Sequence, residues 1–178
     1  MSEILEHKFV EEVEPFRLVL PVFEIEADNN KIAEELSWCH KRLSDNPFFS
    51  HYEDFQIDFE KSPATKALCA TIDEIATKNF SFTKRHLKTA SRWAHIHKPL
   101  ESTEPHNHKP CDVSFVYYVK APKDCGSLAF LMDSGSNDRP VIVHPMEGRL
   151  IFFPSWIMHK VSKNMSDETR MSVSGNYG

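Results

Sequence analysis

At Ser91 the apolar residues change their spacing from helical to alternating, and this switch limits the folds open to the chain more than any other feature. Beyond that point the alternating segments 92–97, 113–120, 127–131, 141–144, 149–153, 159–162 and 170–176 read as strands. They are short and divided by Pro, Gly, Asn and Asp, which is the pattern of a β-sandwich or jelly roll. Ahead of them, 16–25 reads as a strand, with Pro21 placing it at an edge or bend. Two helices follow. Asn30 can cap the first, which carries Ile32, Leu36, Cys39 and Leu43 on one face and stops at Asp45-Asn46-Pro47. Ser62 and Pro63 open the second, whose stripe is Leu68, Ile72 and Ile75.

With 178 residues the chain fits a single domain, 1–178, in which 1–90 supports a core formed by 91–178. Apolar residues make up 40% and charged residues 26%, the balance of a globular protein. No run approaches the ~18 apolar residues of a membrane helix, and the acidic start lacks the order of a secretory signal, so the expected place is the cytoplasm. A net charge of −5 argues against general nucleic-acid binding. Cys39, Cys69, Cys111 and Cys125 form no C-x-x-C pair, so inert thiols in a reducing compartment are expected.

Six of the ten histidines fall between His95 and His159. His106 and His108 stand at i and i+2, on one side of an extended chain, where both nitrogens can reach one ion. A third, His159, lies 51 residues after His108, and a jelly roll can bring such distant strands together. Three ligands on one face leave positions open for a co-substrate and O₂, although imidazole also suits zinc, copper and nickel. His95 and His97 form a second such pair beside Trp93, read as pocket-lining or surface residues. Structural roles suffice elsewhere. Gly148 supplies a turn, Phe152 and Phe153 supply core, and Phe48, Phe49, Phe55 and Phe59 cover the helical layer. Trp156 and Met158 either shield His159 or pack in the core.

His106-Asn107-His108, the segment 114–119, Gly126-Ser127-Leu128-Ala129-Phe130, the segment 147–155, His159 and Arg170-Met171-Ser172-Val173-Ser174 occur in consistent order. Together they resemble the 2-oxoglutarate/Fe(II) oxygenase superfamily, nearest to a group of bacterial and phage oxygenases and more distantly to the prolyl hydroxylases. The resemblance spans about 91–178 and implies a mainly β fold, a cupin-like double-stranded β-helix with supporting N-terminal helices. It implies metal ligands at His106 and His159. The family's carboxylate position is held here by His108, so either the site is an all-histidine triad or Asp112 supplies the second ligand. By the same resemblance Arg170 pairs with the distal carboxylate of 2-oxoglutarate, with Ser172 and Tyr118 beside it.

The implied activity is that of a dioxygenase using Fe(II) and 2-oxoglutarate, with ascorbate as reductant. It would hydroxylate a small molecule or protein side chain and release succinate and CO₂. A three-histidine dioxygenase that needs no 2-oxoglutarate is a second reading, and a silent jelly-roll binding module a third. Substrate contacts are expected from loops at 99–109 and 133–140, which carry no motif of their own, and the oligomeric state stays open.

Overall fold

The computed structural model describes residues 20–44, 54–80, 87–131 and 140–178. In chain order the elements are β1 (Val22–Glu24), α1 (Asn29–Ser44), β2 (Asp54–Phe55), α2 (Pro63–Phe80), β3 (Thr89–His97), β4 (Thr103–His106), β5 (Val113–Lys120), β6 (Leu128–Phe130), β7 (Val141–Val143), β8 (Arg149–Pro154), β9 (His159–Val161) and β10 (Arg170–Tyr177). The strands form a six-stranded sheet, β1-β8-β5-β10-β3-β2, and a four-stranded sheet, β4-β9-β6-β7. Every pairing is antiparallel. The expected jelly roll is therefore present, with two helices laid on its larger sheet.

The alternation along β10 explains the layering. Met171, Val173 and Tyr177 join one core with Ile32, Leu36 and Cys39 of α1 and Leu68, Ile72 and Ala76 of α2. The other parity, Arg170, Ser172 and Ser174, lines a pocket on the opposite face. Both faces are thus covered, and every residue of this strand is buried. Phe115, Tyr117 and Val119 of β5 point to the helices in the same way. A second, smaller core of Leu128, Phe130, Phe153 and Ile157 lies between the two sheets.

Polar contacts fix the helices to this sheet. The Tyr117 hydroxyl donates to Asn29 Oδ1 at 2.7 Å. Tyr177 donates to Asp73 at 2.7 Å, and Arg92 forms an ion pair with the same carboxylate while its guanidinium lies against the rings of both Phe115 and Tyr177. Arg92 gains cation–π contact with both rings in that position.

Both helix starts differ from the expectation. The first is capped by Asp28 rather than Asn30, since Lys31 N–H donates to Asp28 Oδ1 at 3.0 Å. At the second, Ser62 holds the flanking position but its hydroxyl faces Cys39 Sγ. The cap is Glu35 of α1, which accepts from Ala64 N at 3.0 Å, Thr65 N at 2.9 Å and the Thr65 hydroxyl at 2.8 Å. A carboxylate reaching across from a neighbouring helix satisfies more donors than a serine can, and it suits the positive end of the helix.

Pro21 precedes an edge strand, as expected, and Gly148 has φ +80° in the turn before β8. Phe55 is buried and Phe59 packs against the helical core; Phe48, Phe49 and the stop at Asp45-Asn46-Pro47 lie outside the described residues. Trp156 and Met158 are 47% and 38% exposed, so neither packs in the core. β4 was not expected. It contains Pro105 and, among the described residues, pairs only with β9, with a register shift between Thr103 and His106, which is how an edge strand tolerates a proline.

Candidate metal and co-substrate site

The pairing of edge strand β4 with β9 in the smaller sheet brings the distant histidines together. His106 ends β4, His159 begins β9, and the two are direct cross-strand partners. His108 lies just past β4, where its N–H donates to the Ser155 carbonyl at 2.8 Å and its ring rests 5.3 Å from that of Trp93. The candidate ligand nitrogens of His106, His108 and His159 all fall within 4.8 Å of one another. Asp112 is outside this cluster. Its backbone is occupied in joining the loop to Tyr177 and Ser155.

The donor chemistry fits a transition metal. His106 Nδ1 meets the Glu104 carbonyl at 2.8 Å, and His159 Nδ1 meets the Ile157 carbonyl at 2.9 Å. A carbonyl only accepts, so each Nδ1 carries a proton, which leaves Nε2 as the nitrogen that binds a metal when the ring is neutral. Burial, with the neighbouring imidazoles adding to it, lowers the pKa of His108 to about 4. Burial likewise lowers that of His159 to about 4, against the carbonyl bond to Ile157. Both are therefore neutral, ligand-ready imidazoles near pH 7.

The same pocket contains the other group the sequence singled out. The three histidines line it together with Arg170, Ser172 and Tyr118. Arg170 opens β10 and is 2% exposed; its guanidinium donates to the Cys125 carbonyl at 3.5 Å and to His97 Nδ1 at 2.8 Å. Tyr118 and Ser172 face each other across β5 and β10. Burial, opposed by Arg170, pushes the Tyr118 hydroxyl up to about 12, so it stays protonated and able to donate. Val116, Leu128, Phe153 and Val161 supply apolar wall.

His95 lines this pocket, and burial holds it well below the usual imidazole range. His97, by contrast, is buried and bonded to Arg170, a role the sequence reading missed. A signal existed: His97 is the cross-strand partner of Arg170, and pairing two alternating strands would have put them side by side.

A family model described as "Putative 2OG-Fe(II) oxygenase" matches residues 131–176, about a quarter of the chain. The matched stretch holds His159, Arg170 and Ser172 but neither His106 nor His108. Among solved structures, a prolyl-4-hydroxylase from Pseudomonas putida aligns with a TM-score of 0.63 at 18% identity, over 90% of this chain and 92% of that one. A Trichoplax adhaerens prolyl hydroxylase, in complex with a hypoxia inducible factor peptide fragment, aligns at 0.66 with 15% identity, over 89% and 82%. At 18% identity or less, these likenesses show the fold, the double-stranded β-helix described above. An epimerase of nogalamycin biosynthesis, in complex with Fe3+, alpha ketoglutarate and nogalamycin RO, has the same fold, with a TM-score of 0.65 and 18% identity over 90% of this chain and 79% of that one. No curated protein matches the sequence. Iron and 2-oxoglutarate are the groups that the description of the matched family model names.

Proposed function

We propose that this chain is an Fe(II)- and 2-oxoglutarate-dependent dioxygenase that hydroxylates a small molecule or a protein side chain, acting as one domain over 1–178. The observation that carries the proposal is a single pocket with three convergent imidazoles and a buried arginine in its wall. In this reading His106, His108 and His159 hold the metal. Fe(II) with 2-oxoglutarate and O₂ supplies oxidative decarboxylation to succinate and CO₂, coupled to hydroxylation of a C–H bond.

The chain's own residues provide the remainder. Arg170 presents a planar guanidinium, the group best shaped for a carboxylate, to the far end of the co-substrate. Tyr118 and Ser172 donate hydrogen bonds to the same carboxylate. Val116, Leu128, Phe153 and Val161 keep water from the reacting end, where it would weaken each of these electrostatic contacts. Neutral imidazole at 108, where the family motif has a carboxylate, leaves the metal one charge more positive. Ascorbate would maintain the reduced metal, and the four free cysteines suit a reducing cytoplasm. No helix among the described residues is long and apolar enough to cross a membrane.

His108 also favours a second reading, a three-histidine dioxygenase acting without 2-oxoglutarate; Arg170 in the pocket speaks for the first. Succinate formation from labelled 2-oxoglutarate with Fe(II), ascorbate and no added substrate separates them. The wild type should form succinate and His159→Ala should not. Absence of succinate together with absence of 2-oxoglutarate binding would overturn the proposal in favour of the second reading or of a silent binding module.

A further inference from the structure

We infer that His97 is a positioning residue for the co-substrate: it sets the direction of the Arg170 guanidinium and ties it to the strand that carries His106. The inference rests on the reading of Arg170 as the carboxylate anchor.

The direction of each hydrogen bond follows from the donors available. Arginine has N–H donors and no acceptor, so His97 Nδ1, 2.8 Å from Arg170 Nη2, must accept. A neutral imidazole accepting at Nδ1 carries its proton at Nε2. That nitrogen lies 2.7 Å from the Thr103 hydroxyl, to which it donates. Thr103 is the first residue of β4, the strand that ends in His106. A continuous path therefore runs from β10 through Arg170, His97 and Thr103 to the strand of the first metal ligand.

The backbone around His97 is held as firmly as its ring. Asn164, fully buried, donates through Nδ2 to the His97 carbonyl at 3.0 Å and to the Glu168 carbonyl at 2.8 Å. Its own N–H and carbonyl bind Glu101 O and Leu100 N at 2.8 and 2.7 Å. The loop before β10 and the loop before β4 are thus stitched to the end of β3. Burial, reinforced by Arg170, keeps His97 neutral, with its pKa lowered to about 3. The acceptor that orients the guanidinium consequently persists across the working pH range. A neutral acceptor in this position orients the arginine without satisfying its charge, so the charge remains available to a carboxylate.

The test is calorimetric titration of 2-oxoglutarate into Mn(II)-loaded protein, with Mn(II) affinity measured separately. His97→Leu removes the acceptor and should weaken 2-oxoglutarate about ten- to a hundredfold, the usual effect of losing a hydrogen bond to a charged group, with Mn(II) affinity unchanged. His97→Asn places an amide oxygen near the position of Nδ1 and should restore affinity to within about threefold of wild type, whereas a merely structural role predicts no such rescue. Thr103→Val leaves the ring in place and frees its tautomer, so it should weaken 2-oxoglutarate several-fold; this variant decides the matter if His97→Leu does not fold. Wild-type affinity in Thr103→Val, and in His97→Leu where it folds, while Arg170→Ala has lost binding, would overturn the positioning role alone. Wild-type affinity in Arg170→Ala would instead overturn the reading of Arg170, and the positioning role with it.

Discussion

The histidine at 108 stands where the motif of the proposed family has a carboxylate, and its surroundings favour imidazole there. Its ring packs 5.3 Å from Trp93 and 5.0 Å from His159, in a half-buried setting whose desolvation lowers its pKa to about 4. A carboxylate in its place would bring one negative charge to the metal and hold the oxidised ion more strongly than the reduced one, by Coulomb attraction in a site of low dielectric. His108→Asp is therefore expected to keep metal binding and to lower the Fe(III)/Fe(II) midpoint potential, as read by redox titration. An unchanged or higher potential would mean that residue 108 does not bind the metal.

The long strands of the larger sheet were legible because their alternation is strong, whereas β2, two residues long, was not. Segments 113–120 and 170–176 read in the sequence match β5 and β10 almost residue for residue. The triad was legible through an i, i+2 pair and a lone distant histidine. What escaped were features created by a tertiary neighbour. Nothing local marks Glu35 as the cap of α2, since it lies about 30 positions before its partners and inside another helix. Nothing local marks Thr103–His106 as a strand, because Pro105 argues against one until the edge position is known. The role of His97 also needed register, not pattern. Glu35→Ala, which removes three bonds at a buried helix start, should cost about 1–3 kcal/mol. That corresponds to a Tm lower by roughly 3–10 °C in a domain of this size. Turnover per folded molecule should be unaffected.

Considered as a whole, the molecule uses its larger sheet for two purposes, an apolar face that holds the helices and a polar face that lines the pocket. Three of the histidines on or near the polar face, His97, His108 and His159, are held neutral mainly by burial, with pKa values lowered to about 3, 4 and 4. In the unfolded chain they titrate near 6.5, so between that value and about 4 the unfolded state binds more protons than the folded one. Stability therefore rises with pH across this window and is lost as the pH falls through it. The metal-free protein should show a falling urea midpoint on acidification from pH 6.5 to about 4, and His97→Asn should reduce that slope. A midpoint flat across this range would show that these rings are not buried as neutral groups. Substrate choice belongs to this same level of organisation: the loop at 133–140 expected to meet the substrate falls almost wholly outside the described residues.

The most direct test of the central claim is an anaerobic titration of 2-oxoglutarate into Fe(II)-loaded protein, followed by the visible charge-transfer absorption of a 2-oxo acid chelated to iron. The wild type should develop this band and saturate. Arg170→Ala should reach the same band only at much higher 2-oxoglutarate, and His159→Ala should not develop it. A wild-type protein that binds Fe(II) but shows no band at any 2-oxoglutarate concentration would contradict the account.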